Sequence, residues 1–135
     1  MTPDALRALL RATKTIAVIG LSPDPARPSH QVALYLRTAG YRIVPVNPKH
    51  DGVLGEPSYP SLTAAAQACR IDLVNVFRRS EFVGPIVDEA IMLRPKLVWL
   101  QVGVRDFAAC ARAEAAGIPC VMDRCLMADH GELRV

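Results

Sequence analysis

Short runs of apolar residues alternate along this chain with longer segments in which apolar residues recur every three or four positions. The short runs have the length of strands buried on both faces, and the longer segments have the period of amphipathic helices. Strands are predicted at residues 15–19, 41–46, 71–77, 96–101 and 118–122. We therefore predict an α/β fold, a Rossmann-like, doubly wound parallel sheet of about five strands with helices on both faces.

Glycines mark the ends of two predicted helices and separate them from the strands that follow. Gly40 and Gly117 stand there, and glycine adopts the left-handed conformation that commonly ends a helix. Residues 47–61 are rich in Pro, Gly and Asp and are predicted to form a loop with a brief turn at residues 53–56. No repeat or linker divides the chain, so residues 1–135 are predicted to form a single domain.

The first predicted strand stops at Gly20, and a loop of small and polar residues leads from it to Ser29, which can cap the next helix. A strand, a glycine, a loop and a helix in this order are typical of phosphate sites, because loop amides and the positive helix end face the anion. The three-glycine dinucleotide fingerprint is absent, since Ser22 and Pro25 occupy its later positions. Two interpretations stay open. The loop is a phosphate site, or it is an ordinary connection between a strand and a helix. The candidate ligand residues of this loop are Gly20, Leu21, Ser22, Arg27 and Ser29.

Polar residues also follow the other strands, and the carboxyl ends of parallel strands share one edge of a sheet. The second strand has no acidic residue at its tip but has Lys49 nearby, which favours a more anionic nucleotide over NAD. Alternatively, Arg27, Arg78, Arg79 and Lys49 are solvated surface residues that contact no ligand. The further candidates at this edge are Asn47, Pro48, Lys49, Phe77, Arg78, Arg79, Gln101 and Gly103.

Composition narrows the functions that the chain can have. The net charge is +3 without a basic block, and aromatic residues make up only 5%, so nucleic acid is not expected as a partner. The apolar runs are too short to span a membrane, and the first residues do not form a secretion signal. We therefore expect a cytoplasmic protein without a membrane partner.

The cysteines and histidines show no metal-binding spacing and no catalytic constellation, so no metal site and no catalytic residue is predicted. Cys69, Cys110 and Cys120 lie in apolar patterns and are predicted to be small core residues. Cys125 differs because it lies in a polar segment after the last strand, where Arg124 would favour its thiolate. We include Cys125 among the candidate ligand residues, with a simple structural role as the alternative.

Six stretches of the sequence are informative together, and they are IAVIGLS (16–22), GYRIVPVNPK (40–49), DLVNVF (72–77), VGPIVDEA (83–90), WLQVGV (99–104) and DRCLM (123–127). Taken together, they resemble the CoA-binding domain family, which includes the N-terminal domain of succinyl-CoA synthetase alpha subunits. The likeness covers nearly the whole chain, and the short stand-alone bacterial members are the most similar.

The resemblance implies that CoA or an acyl-CoA lies across the strand ends, with its phosphates at the loop after Gly20 and its adenosine near residues 47–49. It also implies binding without catalysis, because the phosphohistidine domain of the ligases has no counterpart in this sequence. Two alternatives stay open. In the first, the chain is a CoA-binding subunit of an acyl-CoA-forming enzyme with a separate partner chain. In the second, it is an NADP-binding or nucleotide-sensing domain. A homo-oligomer or a partner subunit is compatible with either.

Overall fold

The computed structural model describes all residues from Met1 to Val135 and has the predicted α/β architecture. Five parallel strands form one sheet in the order β2-β1-β5-β6-β7. These strands are β1 Thr15–Ile19, β2 Arg42–Val46, β5 Leu73–Val76, β6 Leu97–Leu100 and β7 Cys120–Val121. The helices are α1 Pro3–Ala12, α2 Pro28–Thr38, α3 Leu62–Ala68, α4 Val83–Leu93, α5 Phe107–Ala115 and α6 Leu126–Glu132. The predicted sheet and its helical layers are thereby confirmed.

Each face of the sheet is covered by three helices. On one face the apolar side chains of α3, α4 and α5 pack against Val74, Val98 and Leu100. On the other face α1, α2 and α6 pack against Val18 and Trp99. Every residue of β1, β5 and β6 is buried, as expected for central parallel strands.

The strand order reverses between β1 and β5, because β2 lies on one side of β1 and the remaining strands of this sheet, β5, β6 and β7, lie on the other. In an open α/β sheet the loops that leave such neighbouring strands diverge to opposite faces, and a crevice opens between them. The loop after β1 leads to α2 on one face, and the loop after β5 leads to α4 on the other.

Three local features go beyond the sequence prediction. The brief turn at residues 53–56 is the tip of a small antiparallel hairpin, β3 Gly52–Val53 and β4 Glu56–Pro57. A 3₁₀ turn, Ser80–Phe82, leads into α4, and the helix α6 follows β7. None of the helices has the length and apolarity that a membrane-spanning helix requires.

Cys69, Cys110 and Cys120, predicted to be small core residues, are half-buried and pack against the core, but Cys110 and Cys120 also form a disulfide that was not predicted. The chain turns back at Gly117 after α5, which brings the two α-carbons to 5.5 Å although the residues are ten positions apart. The bond joins α5 to the short edge strand β7. Cys69 and Cys125 are free and half-buried.

Candidate functional site

A cleft of about 770 Å³ opens at the carboxyl ends of the strands, across the point where the strand order reverses. Such a volume suits a small organic ligand. The residues that line it are Gly20, Ser22, Arg27, Pro28, Ser29, Gln31, Val32, Asn47, Phe77, Arg78, Arg79, Gln101, Val102, Gly103, Val104, Cys125 and Met127. Three of them are arginines and none is acidic.

Gly20 brings the turn after β1 close to the end of β5. Its φ is +83°, and a β-carbon on it would lie 2.5 Å from the carbonyl oxygen of Phe77. A side chain is therefore unfavourable here for two reasons. The left-handed backbone strains residues other than glycine, and the Phe77 backbone occupies the space. The Gly20 amide donates to the Val46 carbonyl oxygen at 2.8 Å. The glycine thus lets the loops after β1 and β5 approach each other at the floor of the cleft.

Ser29 does not cap α2, contrary to the sequence prediction. Its hydroxyl oxygen accepts a hydrogen bond from the Ser22 amide at 3.0 Å, so it holds the loop rather than the helix end. The reason is that α2 begins two residues earlier than a Ser29 cap requires, with Arg27 at the N-cap position and Pro28 in the first turn. The loop is further closed by Asp24, whose carboxylate accepts from the Ala26 amide at 3.0 Å.

The positive end of α2 is open toward the cleft. No side chain caps it, and its first turn has no acidic residue. The partial positive charge of the amides at this helix end is consequently not neutralised by the protein itself. An anion bound in the cleft would accept hydrogen bonds from these amides and neutralise their partial charge.

The arginines add full positive charge beside this helix end. Arg27 is exposed and Arg78 is half-buried, and neither forms an ion pair. Arg78 lies over the ring of Phe82 at 4.7 Å, a cation–π arrangement that leaves its guanidinium protons available. Arg79 is 4.0 Å from Glu81, and both side chains are largely exposed, so water screens this pair.

Asn47 connects the end of β2 to the turn after β1. Its side-chain nitrogen donates to the Leu21 carbonyl oxygen at 3.0 Å, and its side-chain oxygen accepts from the Lys49 amide at 3.0 Å. Asn47 lines the cleft, but Pro48 and Lys49 are exposed and lie outside its lining. Leu21 is fully buried in the core, so only its backbone belongs to the turn.

The other side of the cleft carries no unpaired charge. Gln101, Val102, Gly103, Val104, Cys125 and Met127 line it, at the ends of β6 and β7. We call this the neutral half. The basic half consists of Gly20, Ser22, Arg27, Ser29, Arg78 and Arg79, at the ends of β1 and β5 and at the start of α2.

Asp123 shapes the loop of the neutral half. Its carboxylate accepts from the Gly103 amide at 2.7 Å and from the Arg105 guanidinium at 2.7 and 2.9 Å. The hydrogen bond from the Gly103 amide, followed by that from Arg105, lowers the pKa of Asp123 below its ordinary value of 3.8. Asp123 itself has a left-handed backbone with φ +60°, a conformation that aspartate tolerates better than most residues.

Arg124 does not face the Cys125 thiol, although the sequence places the two side by side. Its guanidinium pairs with Asp129 at 2.7 Å, and its carbonyl oxygen accepts from the Trp99 indole at 2.8 Å. These contacts direct Arg124 to a separate, smaller cavity beside α1. The predicted influence of Arg124 on the Cys125 thiol is therefore not supported by its position.

The structure thus brings most of the predicted residues around one cleft and leaves Leu21, Pro48 and Lys49 outside its lining. The lining residues that sequence reasoning missed are Pro28, Gln31, Val32, Val102, Val104 and Met127. Pro28 and Gln31 could have been found, because a proline after the glycine loop indicates the first turn of the helix, and Gln31 lies one turn further along it. The apolar residues Val32, Val102, Val104 and Met127 could not have been found, because the sequence does not show whether an apolar residue lines the cleft or lies in the core.

Comparison with known proteins identifies one matching family and two related proteins. A family model described as CoA binding domain matches residues 14–131. The uncharacterized protein YneT of Bacillus subtilis is 37% identical over 125 residues, which are 93% of this chain and 91% of that protein. The acetate–CoA ligase (ADP-forming) I of Archaeoglobus fulgidus is 32% identical over 76 residues, which are 56% of this chain and 11% of the ligase.

A solved structure extends the likeness to the whole fold. The structure of cell-free ID.343 from Thermus thermophilus superposes with a TM-score of 0.92 at 43% identity, and the match covers 98% of this chain and 99% of that one. The resemblance predicted from the sequence is thereby confirmed at the level of the family.

Proposed function

The chain belongs to the CoA binding domain family, and on this premise we propose that it binds CoA or an acyl-CoA without itself catalysing a reaction. The ligand occupies the cleft at the carboxyl edge of the sheet. The observation that carries the proposal is the charge of this cleft, which has three arginines, no acidic residue and an uncapped helix end. CoA has a pyrophosphate and a 3′-phosphate, so it supplies the negative charge that the cleft lacks.

The division of the cleft supports one orientation of the ligand. Phosphate groups suit the basic half, where Arg27 offers a planar fork of donors beside the open end of α2. The pantetheine arm is uncharged and partly apolar, and it suits the neutral half with Val102, Val104 and Met127. In this orientation the thiol or thioester end lies toward the ends of β6 and β7.

Calorimetric titration of the purified chain with CoA, acetyl-CoA, NADP and NAD tests the proposal. We expect both CoA ligands to bind more tightly than either dinucleotide. No carboxylate lines the cleft to accept hydrogen bonds from the ribose hydroxyls of NAD, and the three-glycine fingerprint that NAD and NADP sites share is absent. Mass spectrometry of the protein under native and then denaturing conditions identifies any ligand that co-purifies. NADP binding that equals or exceeds CoA binding contradicts the proposal and favours a nucleotide sensor.

A second candidate is a CoA-binding subunit that acts with a separate catalytic chain. The match to a segment of the acetate–CoA ligase favours it. Incubation of the purified chain with carboxylic acids, CoA and ATP or GTP tests whether the chain alone is catalytic. We expect no thioester from the purified chain alone, and thioester formation above background would overturn the non-catalytic proposal.

A further inference from the structure

The Gln101 side chain is held with one of its two polar atoms free. Gln101 is only 5% exposed, at the end of β6 where it lines the neutral half of the cleft. One side-chain atom receives two hydrogen bonds, from the Leu126 backbone amide at 3.0 Å and from the Asn75 side chain at 3.2 Å. The other side-chain atom has no protein partner in the structure.

The backbone amide of Leu126 fixes which atom is free. A backbone N–H only donates, so the Gln101 atom that faces it is the oxygen Oε1. The nitrogen Nε2 is consequently the atom that remains, and it carries two protons. The same reasoning passes to Asn75, which must present its own nitrogen to Gln101 Oε1. One backbone donor therefore sets the orientation of two amide side chains.

Asn75 shows that the protein bears a cost to keep this orientation. It is fully buried in the middle of β5, between the apolar residues Val74 and Val76. Its side-chain oxygen is sealed from water and has no hydrogen-bond partner. A buried unpaired acceptor is unfavourable and calls for a compensating role. Holding Gln101 in place is such a role, since Asn75 donates to Gln101 Oε1 and to the Trp99 carbonyl oxygen.

The surroundings of the free nitrogen indicate which ligand group it binds. The other side chains that line the neutral half are Val102, Val104, Cys125 and Met127, and Arg105, which follows this stretch, is already paired with Asp123. The residues of the neutral half offer an anion no unpaired positive charge, whereas they offer a neutral acceptor one donor in fixed orientation. A carbonyl oxygen in a partly apolar segment fits these conditions.

We propose that Gln101 Nε2 donates a hydrogen bond to a carbonyl oxygen in the uncharged arm of the ligand, and that Asn75 acts as a positioning residue for it. The inference rests on the proposed binding of CoA and deepens it. CoA has two kinds of carbonyl in this arm: the pantetheine amides, which all CoA species share, and the thioester, which only acyl-CoA has.

The decisive variant is Gln101→Glu. Glutamate keeps an oxygen that accepts from Leu126 and Asn75, but it places a second oxygen where Nε2 stood. The probes are CoA, acetyl-CoA and 3′,5′-ADP, and the last of these lacks the whole uncharged arm. We expect CoA and acetyl-CoA to bind about tenfold more weakly to the variant, with 3′,5′-ADP unchanged. Weakening of acetyl-CoA alone assigns the thioester carbonyl, and equal weakening of both assigns a pantetheine amide.

Two further variants separate this role from a general effect of charge or folding. Gln31→Glu introduces the same charge elsewhere in the cleft lining, near the start of α2, and should weaken CoA and 3′,5′-ADP alike. Gln101→Met removes the donor without adding charge and serves if the glutamate variant does not fold. Binding of CoA that is unchanged in both Gln101 variants, or a loss shared equally with 3′,5′-ADP, would overturn the inference. Wild-type protein that binds 3′,5′-ADP and CoA equally overturns the role of the arm while leaving a CoA site in place, and wild-type protein that binds no CoA overturns the proposed function and this inference with it.

Discussion

The two halves of the cleft are built in different ways. In the basic half, the loop from Gly20 to Ser29 is held by contacts between residues a few positions apart, and its turn at Gly20 also contacts the distant backbone of Val46 and Phe77. Ser22 and Ser29 are bonded across seven positions, and Arg27 is the N-cap of the helix that the loop leads into. The neutral half depends on pairs that are far apart in sequence. Asp123 reaches back to Gly103, and Gln101 bridges Asn75 and Leu126.

This difference has a consequence for how each half tolerates change. A locally built loop depends on backbone conformation, so its weakest points are residues with a special φ or a close backbone contact. A half assembled from long-range pairs depends on side-chain chemistry and on the charge state of those side chains. The predictions below test this contrast, beginning with the largest expected effect.

Gly20→Ala should destabilise the fold more than any other single change in the cleft. Alanine there would adopt φ +83° and its β-carbon would meet the Phe77 carbonyl oxygen at 2.5 Å. We expect a loss of about 2–4 kcal/mol in the free energy of unfolding, measured by urea denaturation. Gly117→Ala is the matched control, because Gly117 has the same φ of +83° but nothing within 4 Å of the added carbon.

The control should lose only the cost of the left-handed backbone, about 1–2 kcal/mol. The difference between the two variants then measures the close approach of the loops after β1 and β5. Equal losses in both would mean that the contact with Phe77 relaxes freely and that the turn is less rigid than its geometry indicates.

Arg27→Ala should weaken CoA binding without affecting the fold. The residue is exposed and makes no ion pair, so the folded protein loses no contact, whereas a bound phosphate loses a charge-assisted hydrogen bond. We expect a loss of about 1.5–3 kcal/mol in binding free energy, measured by calorimetry. Arg42→Ala is the control, because Arg42 is also exposed and unpaired but begins β2 at the opposite edge of the sheet. Unchanged affinity of the Arg27 variant would remove this residue from the site.

The same contrast explains what could be predicted from the sequence. The five strands and the loop after Gly20 were predictable, because strand periodicity and a glycine at a strand end are local patterns. The predicted capping role of Ser29 was wrong, because Pro28 suits the first turn of a helix and α2 therefore begins before Ser29. Asn75 looks in the sequence like a polar interruption of a strand. Its bond to Gln101 exists only because β5 and β6 are neighbours in the sheet.

Lowering the pH should loosen the neutral half before the basic half, through Asp123. Its pKa in the folded state lies below the ordinary 3.8, so the carboxylate stabilises the fold above that pH and loses this contribution as the pH falls through the folded-state value. We expect the wild type to be more stable than Asp123→Asn at about pH 6, and this advantage to shrink at about pH 3. Urea denaturation of both proteins at both pH values measures it, and titration of the other carboxyls cancels in the difference. An advantage that does not change with pH would mean that the loop is held by shape rather than by charge.

The smallest effect concerns how far the ligand extends along the cleft. Cys125 lines the neutral half, whereas the other free cysteine, Cys69, lies beside a separate cavity at the ends of α3 and α4. If the arm of CoA occupies the neutral half, saturating CoA should slow alkylation of Cys125 severalfold and leave Cys69 unchanged. Because 3′,5′-ADP lacks the arm, it should bind in the basic half without protecting Cys125. Peptide mass spectrometry of timed maleimide reactions measures both rates in one sample. Protection of Cys125 by 3′,5′-ADP as strong as that by CoA would mean that the two halves are not occupied separately, and the contrast between them would then describe how the cleft is built but not how it binds.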